Sequence, residues 1–310
     1  MRGIEISRNR FETVGLPMLE RQFAAELPRI AAGLAGRGSE CFGFDDEVSR
    51  DHDFNPGFLL WITEADERAF GFRLERAYAK LLREFPPERG TGGESRLGQA
   101  EHGVMTIAEF YRRRLGFPGA PENWRQWLYT PEYAFAEATN GAVFRDDSGV
   151  FSGIRRTILA GMPEDVRRKK LAARAVFMAQ SGQYNFARCL RHNEPGAAAL
   201  ALAEFVRHAV SMIFLLNRRF APYYKWQFRA MRELPRLADL AAALESLLTR
   251  ELPGAEKSAQ IDRVCARIAA ELRTQELSDA GEEVFLEPHA FAVMSGIRDR
   301  EIRALHIMEG

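Results

Sequence analysis

The chain is 310 residues long, enough for one large domain or two ordinary ones, each with its own buried core. Its 43 basic and 43 acidic residues give a formal net charge of zero, which excludes the basic excess that a broad nucleic-acid surface needs to neutralise phosphates. Three cysteines, Cys41, Cys189 and Cys265, stand far apart with no Cys-x-x-Cys, so neither a disulfide framework nor a zinc site is expected and a reducing cytoplasm fits best.

The first residues, Met1 to Arg8, mix charges and precede no apolar run of the signal-peptide kind, so export is not expected. From Leu16 to Leu34, apolar residues at Leu19, Phe23, Leu27, Ile30 and Leu34 keep the spacing of one helical face. Gly36, Gly38 and Gly43 then break any helix, which predicts a short strand and a turn over 35–44. A strand is predicted within 53–62, followed by Thr63 as the N-cap of a helix that runs to about Phe85 and stops at Pro86-Pro87. The glycine-rich stretch 88–95 reads as a loop, 102–107 as a strand, 108–115 as a helix and 131–138 as a helix ending at Asn140-Gly141. Residues 142–151 read as two short strands around an Asp-Ser-Gly turn.

Beyond Arg155 the β-favouring runs disappear, and Ala, Leu, Arg and Glu fill helix-length blocks at 163–180, 186–191, 197–217, 224–234, 237–249, 257–277 and 288–308. Glu204, Arg207 and His208 interrupt the most apolar of these, so it reads as a buried helix, not a membrane span. The expected division is a mixed α+β domain over 1–158 and a helical domain over 159–310.

One block speaks about chemistry: Gly38-Ser39, eleven intervening residues, then Asp51-His52-Asp53. A Walker loop fails because no lysine follows Gly33-x4-Gly38, and a dinucleotide fingerprint fails because Cys41 stands at its third glycine position. A calcium loop has Asp51, Asp53 and Asn55 in place, but Pro56 replaces its glycine and Ile62 its bidentate glutamate. Alternate residues of a strand point to one side, so Asp51 and Asp53 present two carboxylates together, with Cα atoms about 6 to 7 Å apart. Such a pair suits magnesium, whose hard-oxygen ligands come from a few carboxylates and substrate phosphates. Gly38 allows close backbone approach to a triphosphate, and Ser39 supplies a hydroxyl and an N–H donor.

This arrangement resembles the signature of the DNA polymerase beta-like nucleotidyltransferase superfamily. The wider context, Gly-Ser-Glu-Cys-Phe-Gly-Phe-Asp-Asp-Glu at 38–47, Phe-Arg-Asp-Asp at 144–147, Gln-Ser-Gly-Gln-Tyr-Asn at 180–185 and Tyr-Tyr-Lys-Trp at 223–226, is similar to a bacterial group within it. The resemblance implies an α+β fold, with a small mixed sheet and helices on one side, followed by an all-α helical bundle. It implies transfer of a nucleoside monophosphate from a nucleoside triphosphate such as ATP to an acceptor hydroxyl, with two Mg2+ ions held by Asp51 and Asp53. A third carboxylate is expected from a neighbouring strand, and Glu101 and Asp146 are the candidates. Two further readings stay open: a nucleotide-binding regulatory or antitoxin-like module without turnover, and a scaffold that forms homo-oligomers through its helical half.

The cluster from Asn217 to Trp226 combines cations with aromatic rings. Arg219 or Lys225 is a candidate to reach the triphosphate, and Tyr224 to stack on a base or acceptor; the plainer reading is a helix end followed by aromatic packing. Gln183, Tyr184 and Asn185 are candidates for the same cleft. His52 is expected to pack on the face opposite the aspartates, and Cys41 to be a small buried residue.

Overall fold

The computed structural model describes residues 2–46, 57–86 and 103–310. The fold is α+β, and it divides into two compact units: Met1–Glu122 with Ala134–Ala160, and Asn123–Tyr133 with Gly161–Gly310.

Among its described residues the first unit has four strands: β1 (Ala31–Leu34), β2 (Leu59–Ile62), β3 (Gly103–Thr106) and β4 (Ala142–Arg145). They form one mixed sheet in the order β3-β2-β1-β4, with β1 antiparallel to β2 and β4, and β2 parallel to β3. Gly33 pairs with Leu59 on one side and Val143 on the other, and a Cβ there would lie 2.4 Å from the Ala142 carbonyl oxygen and 2.9 Å from the Trp61 ring. Only glycine lets the strands close at that point.

The helix expected over 16–34 ends at Gln22, and its last four residues form β1. Pairing on both edges of Ala31–Leu34 overrides the helical spacing of the apolar side chains. The strand expected after Ala35 is instead a helical turn, Ser39–Phe42. The second strand expected near Val150 is also a helix, Val150–Leu159, because the Asp146 carboxylate accepts from the Gly149 and Ser152 N–H groups at 3.1 and 2.7 Å and so starts it.

Helices cover both faces of the sheet, where the resemblance implied one. Along β2 the side chains alternate: Leu60 and Ile62, with Phe58 just before the strand, join Phe11, Phe23, Phe70, Leu74 and Tyr78 in one cluster. Trp61 stacks on Phe151 at 3.9 Å and meets Phe110 edge-on at 5.3 Å. A strand buried on both faces reads as a continuous apolar run, as Leu59-Leu60-Trp61-Ile62 does. Burial of each such side chain stabilises by roughly 1.5–3 kcal/mol.

The second unit is all helical among its described residues. Helices Glu164–Met178 and Pro195–Leu216 share a large apolar core with Leu240–Thr249, Gly254–Thr274 and Leu286–Ser295. Pro195–Leu216 is long and apolar enough to cross a membrane by length and composition, yet its apolar residues lie in this core. The helix expected over 288–308 is two, Leu286–Ser295 and Arg300–Ala304, since the Asp299 carboxylate accepts from the Glu301 and Ile302 N–H groups and starts a new one. Glu164–Met178 runs into a π-helical stretch, Ala179–Phe186, where Gly182 lies so close to Phe205 that a Cβ would approach its ring to 2.3 Å.

This unit also buries charge. Glu132 accepts from Ser211 Oγ at 2.8 Å and faces Lys170 at 3.7 Å and Arg174 at 3.5 Å. Burial pushes the Glu132 carboxyl up, but the two cations outweigh it and hold the group below the usual carboxylate range.

Candidate functional site

β1 runs out through Ala35 into a turn that only glycine serves at its first position, because Gly36 has φ of 133°. Gly38, in extended conformation, precedes the helical turn Ser39–Phe42, and Gly43 in left-handed conformation closes it. Asn140 clamps the whole turn: its Oδ1 accepts from the Gly36 N–H at 2.9 Å, and its Nδ2 donates to the Gly36 carbonyl at 2.6 Å. The next residue extends the clamp, with the Gly141 N–H donating to the Cys41 carbonyl at 2.7 Å. Arg155 donates to the carbonyls of both Asn140 and Gly141. The signal for this clamp is the Asn-Gly dipeptide, which by its position in the sequence marks only a helix end.

The turn lies at a defined end of the sheet. Gly103, Leu59, Gly33 and Val143 form one row across the strands, so β1 finishes at the end where β2, β3 and β4 begin. Charges gather around it. Arg37 pairs with the buried Glu137 at 3.5 Å, and burial raises the Glu137 pKa. Arg114, buried with its guanidinium 3.7 Å from the Phe110 ring centre, is lowered by burial to about 10 and stays cationic at neutral pH. Burial, with Glu40 second, pushes the Cys41 thiol well up, so it is an unreactive core residue.

Glu40 is also buried, and its carboxylate folds back over Gly38, where a Cβ would fall 2.1 Å from Oε1. Ser39 Oγ donates to the same carboxylate at 3.4 Å. The Glu40 carboxyl group thus rests against the turn at Gly38.

Of the residues singled out in the sequence, Gly38 and Ser39 form this turn, while Asp51, His52, Asp53 and Glu101 lie outside the described residues. Asp146 stands past Arg145, which pairs with Ala32, so it belongs to the end of β4 opposite Ala142 and the turn. Its carboxylate is committed to Gly149, Ser152 and the Ser148 hydroxyl. Among the described residues no group of three or more His, Cys, Asp or Glu side chains is arranged to hold a metal ion.

Arg219, Tyr224 and Lys225 belong to the second unit. Arg219 and Lys225 are exposed, Lys225 with its Nζ 5.3 Å from the Trp226 ring centre. Tyr224 is exposed and lies 4.4 Å from Tyr223, which meets Tyr133 edge-on at 5.8 Å. Gln183 has a structural task, accepting from the Leu286 N–H at 3.0 Å and donating to the Val284 carbonyl at 3.1 Å.

The fold and this geometry define an α+β unit with a clamped glycine-serine turn, joined in sequence to an all-α unit. Residues 127–227 match a family described as "Domain of unknown function (DUF4037)", a span that includes the motifs at 144–147, 180–185 and 223–226. No curated protein matches the chain. In structure the chain is similar, with a TM-score of 0.40 and 13% identity, to a nucleotidyltransferase-like protein from Exiguobacterium sibiricum 255-15, over 92% of this chain and 81% of that one.

Proposed function

We propose that the chain transfers a nucleoside monophosphate from a nucleoside triphosphate, ATP in the first instance, to an acceptor hydroxyl with release of pyrophosphate. The observation that carries the reading is the Gly38-Ser39 turn, clamped by Asn140 at the sheet end where β2 and β3 begin. A turn held this firmly is preorganised, so phosphate binding need not order it.

In this reading Gly38 brings the backbone against the triphosphate, and Ser39 donates its hydroxyl and N–H to a phosphate oxygen. Asp51 and Asp53 would hold magnesium, which when bound lowers the pKa of the acceptor hydroxyl and neutralises charge on the leaving pyrophosphate. For the third carboxylate, Glu101 is the better candidate, because Asp146 already caps a helix at the other end of its strand. Arg219, Lys225 and Tyr224 are proposed as nucleotide-binding residues.

One observation favours a second reading, a nucleotide-binding module without turnover: Asp146, one of the two candidate third carboxylates, is already committed to the Gly149 and Ser152 N–H groups. Calorimetry with ATP, with and without magnesium, tests both on wild type and on the double variant Asp51→Asn, Asp53→Asn. Magnesium-dependent binding lost in the variant supports a nucleotide site, and pyrophosphate release in a cell metabolite extract then separates enzyme from sensor. Wild-type protein with no metal-dependent nucleotide affinity overturns both.

A further inference from the structure

We propose that the second unit carries a separate site for a small phosphate-bearing anion, in a cavity of about 570 Å³ bounded by the start of helix Glu164–Met178 and the C-terminal ends of Pro195–Leu216 and Gly254–Thr274. Four arginines line it, Arg167, Arg168, Arg218 and Arg236, with two glutamates, Glu164 and Glu276. Glu164 alone serves three of the arginines, at 2.8 Å from Arg167, 3.0 Å from Arg218 and 3.5 Å from Arg168. Arg236 reaches outside the lining to Glu271 at 2.9 Å. Positive charge exceeds negative around the cavity, and one shared carboxylate leaves guanidinium N–H donors for another acceptor.

A purely structural account covers part of this cluster. Cations stabilise helix C-termini, and Arg167, buried among its partners, donates to the Leu215 carbonyl at 3.4 Å. The last carbonyls are otherwise taken by amides: Asn217 Nδ2 donates to Ile213 at 2.8 Å and Gln275 Nε2 to Leu216 at 2.9 Å. Capping does not use the Arg218 and Arg236 side chains, which pair with Glu164 and Glu271 and remain more than half exposed.

Arg218 has φ of 53°, in the left-handed region where glycine usually ends a helix and a side chain costs about 1 kcal/mol. Among the described residues four non-glycine positions share that conformation; Arg218 and Glu276 line this cavity, and Leu237 directly follows its Arg236. Both positions close a helix C-terminus, with the Arg219 N–H donating to the Phe214 carbonyl at 3.0 Å and the Leu277 N–H to the Leu272 carbonyl at 2.9 Å, so capping turns of the kind glycine usually serves carry Arg218 and Glu276 at the cavity.

The size of the cavity falls in the range of small-molecule sites, roughly 300 to 1,000 Å³. A phosphoryl group, with oxygens facing Arg168, Arg218 and Arg236, matches the planar donors better than a single carboxylate does. The site lies wholly in the second unit, so it stands or falls independently of the Gly38-Ser39 reading.

The test is calorimetry on the full chain without metal, titrating inorganic phosphate, pyrophosphate and glycerol phosphate in turn at fixed ionic strength. The double variant Asp51→Asn, Asp53→Asn serves as background, so the proposed nucleotide site does not contribute. Saturable binding of at least one of the three is expected. Arg218→Gly relieves the left-handed strain, so it should melt at or above the parent's temperature while binding about tenfold more weakly or worse; Arg236→Gln should weaken binding as well. Absence of saturable binding, an unchanged affinity in Arg218→Gly, or equal competition by chloride at the same ionic strength overturns the proposal.

Discussion

The Asn140 side-chain amide pairs with both backbone groups of Gly36, accepting at 2.9 Å and donating at 2.6 Å, so a residue 104 positions away sets the shape of the glycine-serine turn. Asn140→Ala removes both bonds and leaves the Gly36 groups without this partner. A loss of about 1–3 kcal/mol is expected, read as a lower urea midpoint at unchanged m-value. Asn140→Asp keeps the acceptor but cannot donate, so it should fall between wild type and the alanine variant.

Two glycines with the same backbone sign separate strain from crowding. Gly141 and Gly149 have φ of 68° and 70°, but a Cβ at Gly141 would lie 1.9 Å from the Leu34 carbonyl oxygen while one at Gly149 meets nothing within 4 Å. Gly149→Ala should cost about 1 kcal/mol, the left-handed penalty alone. Gly141→Ala should cost about 3 kcal/mol or more, because backbone at the end of β1 must shift. Equal melting temperatures for the two would contradict the close approach.

Glu40→Gln keeps the shape of the side chain over Gly38 and removes its charge. If a triphosphate binds there, its affinity should rise about fivefold, near 1 kcal/mol, in calorimetry with a non-hydrolysable analogue. An unchanged or weaker affinity would mean that phosphate binds elsewhere or that Glu40 has a positive role in holding it.

His208 is a buried imidazole that stacks on Phe177 at 4.3 Å and bonds through Nε2 to Glu204 at 2.8 Å, with Nδ1 unpartnered. Burial, helped by Arg207 and Arg174, lowers its pKa from 6.5 to about 4. The unfolded chain therefore binds the proton more readily than the fold between these values. Stability should be full above about pH 6.5 and fall towards pH 4, by at most about 1.4 kcal/mol per pH unit. Urea titrations should show a shallower decline across that window for His208→Gln.

Periodicity and punctuation in the sequence determined much of this fold. Thr63 does cap its helix, accepting from the Asp66 N–H at 3.2 Å, and the change of composition after Arg155 does mark the start of an all-helical stretch, because capping groups and one-sided apolar spacing act locally. The glycine-serine turn was legible for the same reason, as glycine is favoured where the backbone turns left-handed or another stretch of chain comes close. Tertiary structure alone decided that Ala31–Leu34 is a strand, since its partners Leu59 and Val143 are remote and pairing outweighs a helical pattern. It also decided that Asp146 caps a helix, that Asn140 clamps Gly36, and that four arginines remote in sequence line one cavity. No spacing rule encodes these contacts, because each depends on how distant elements pack.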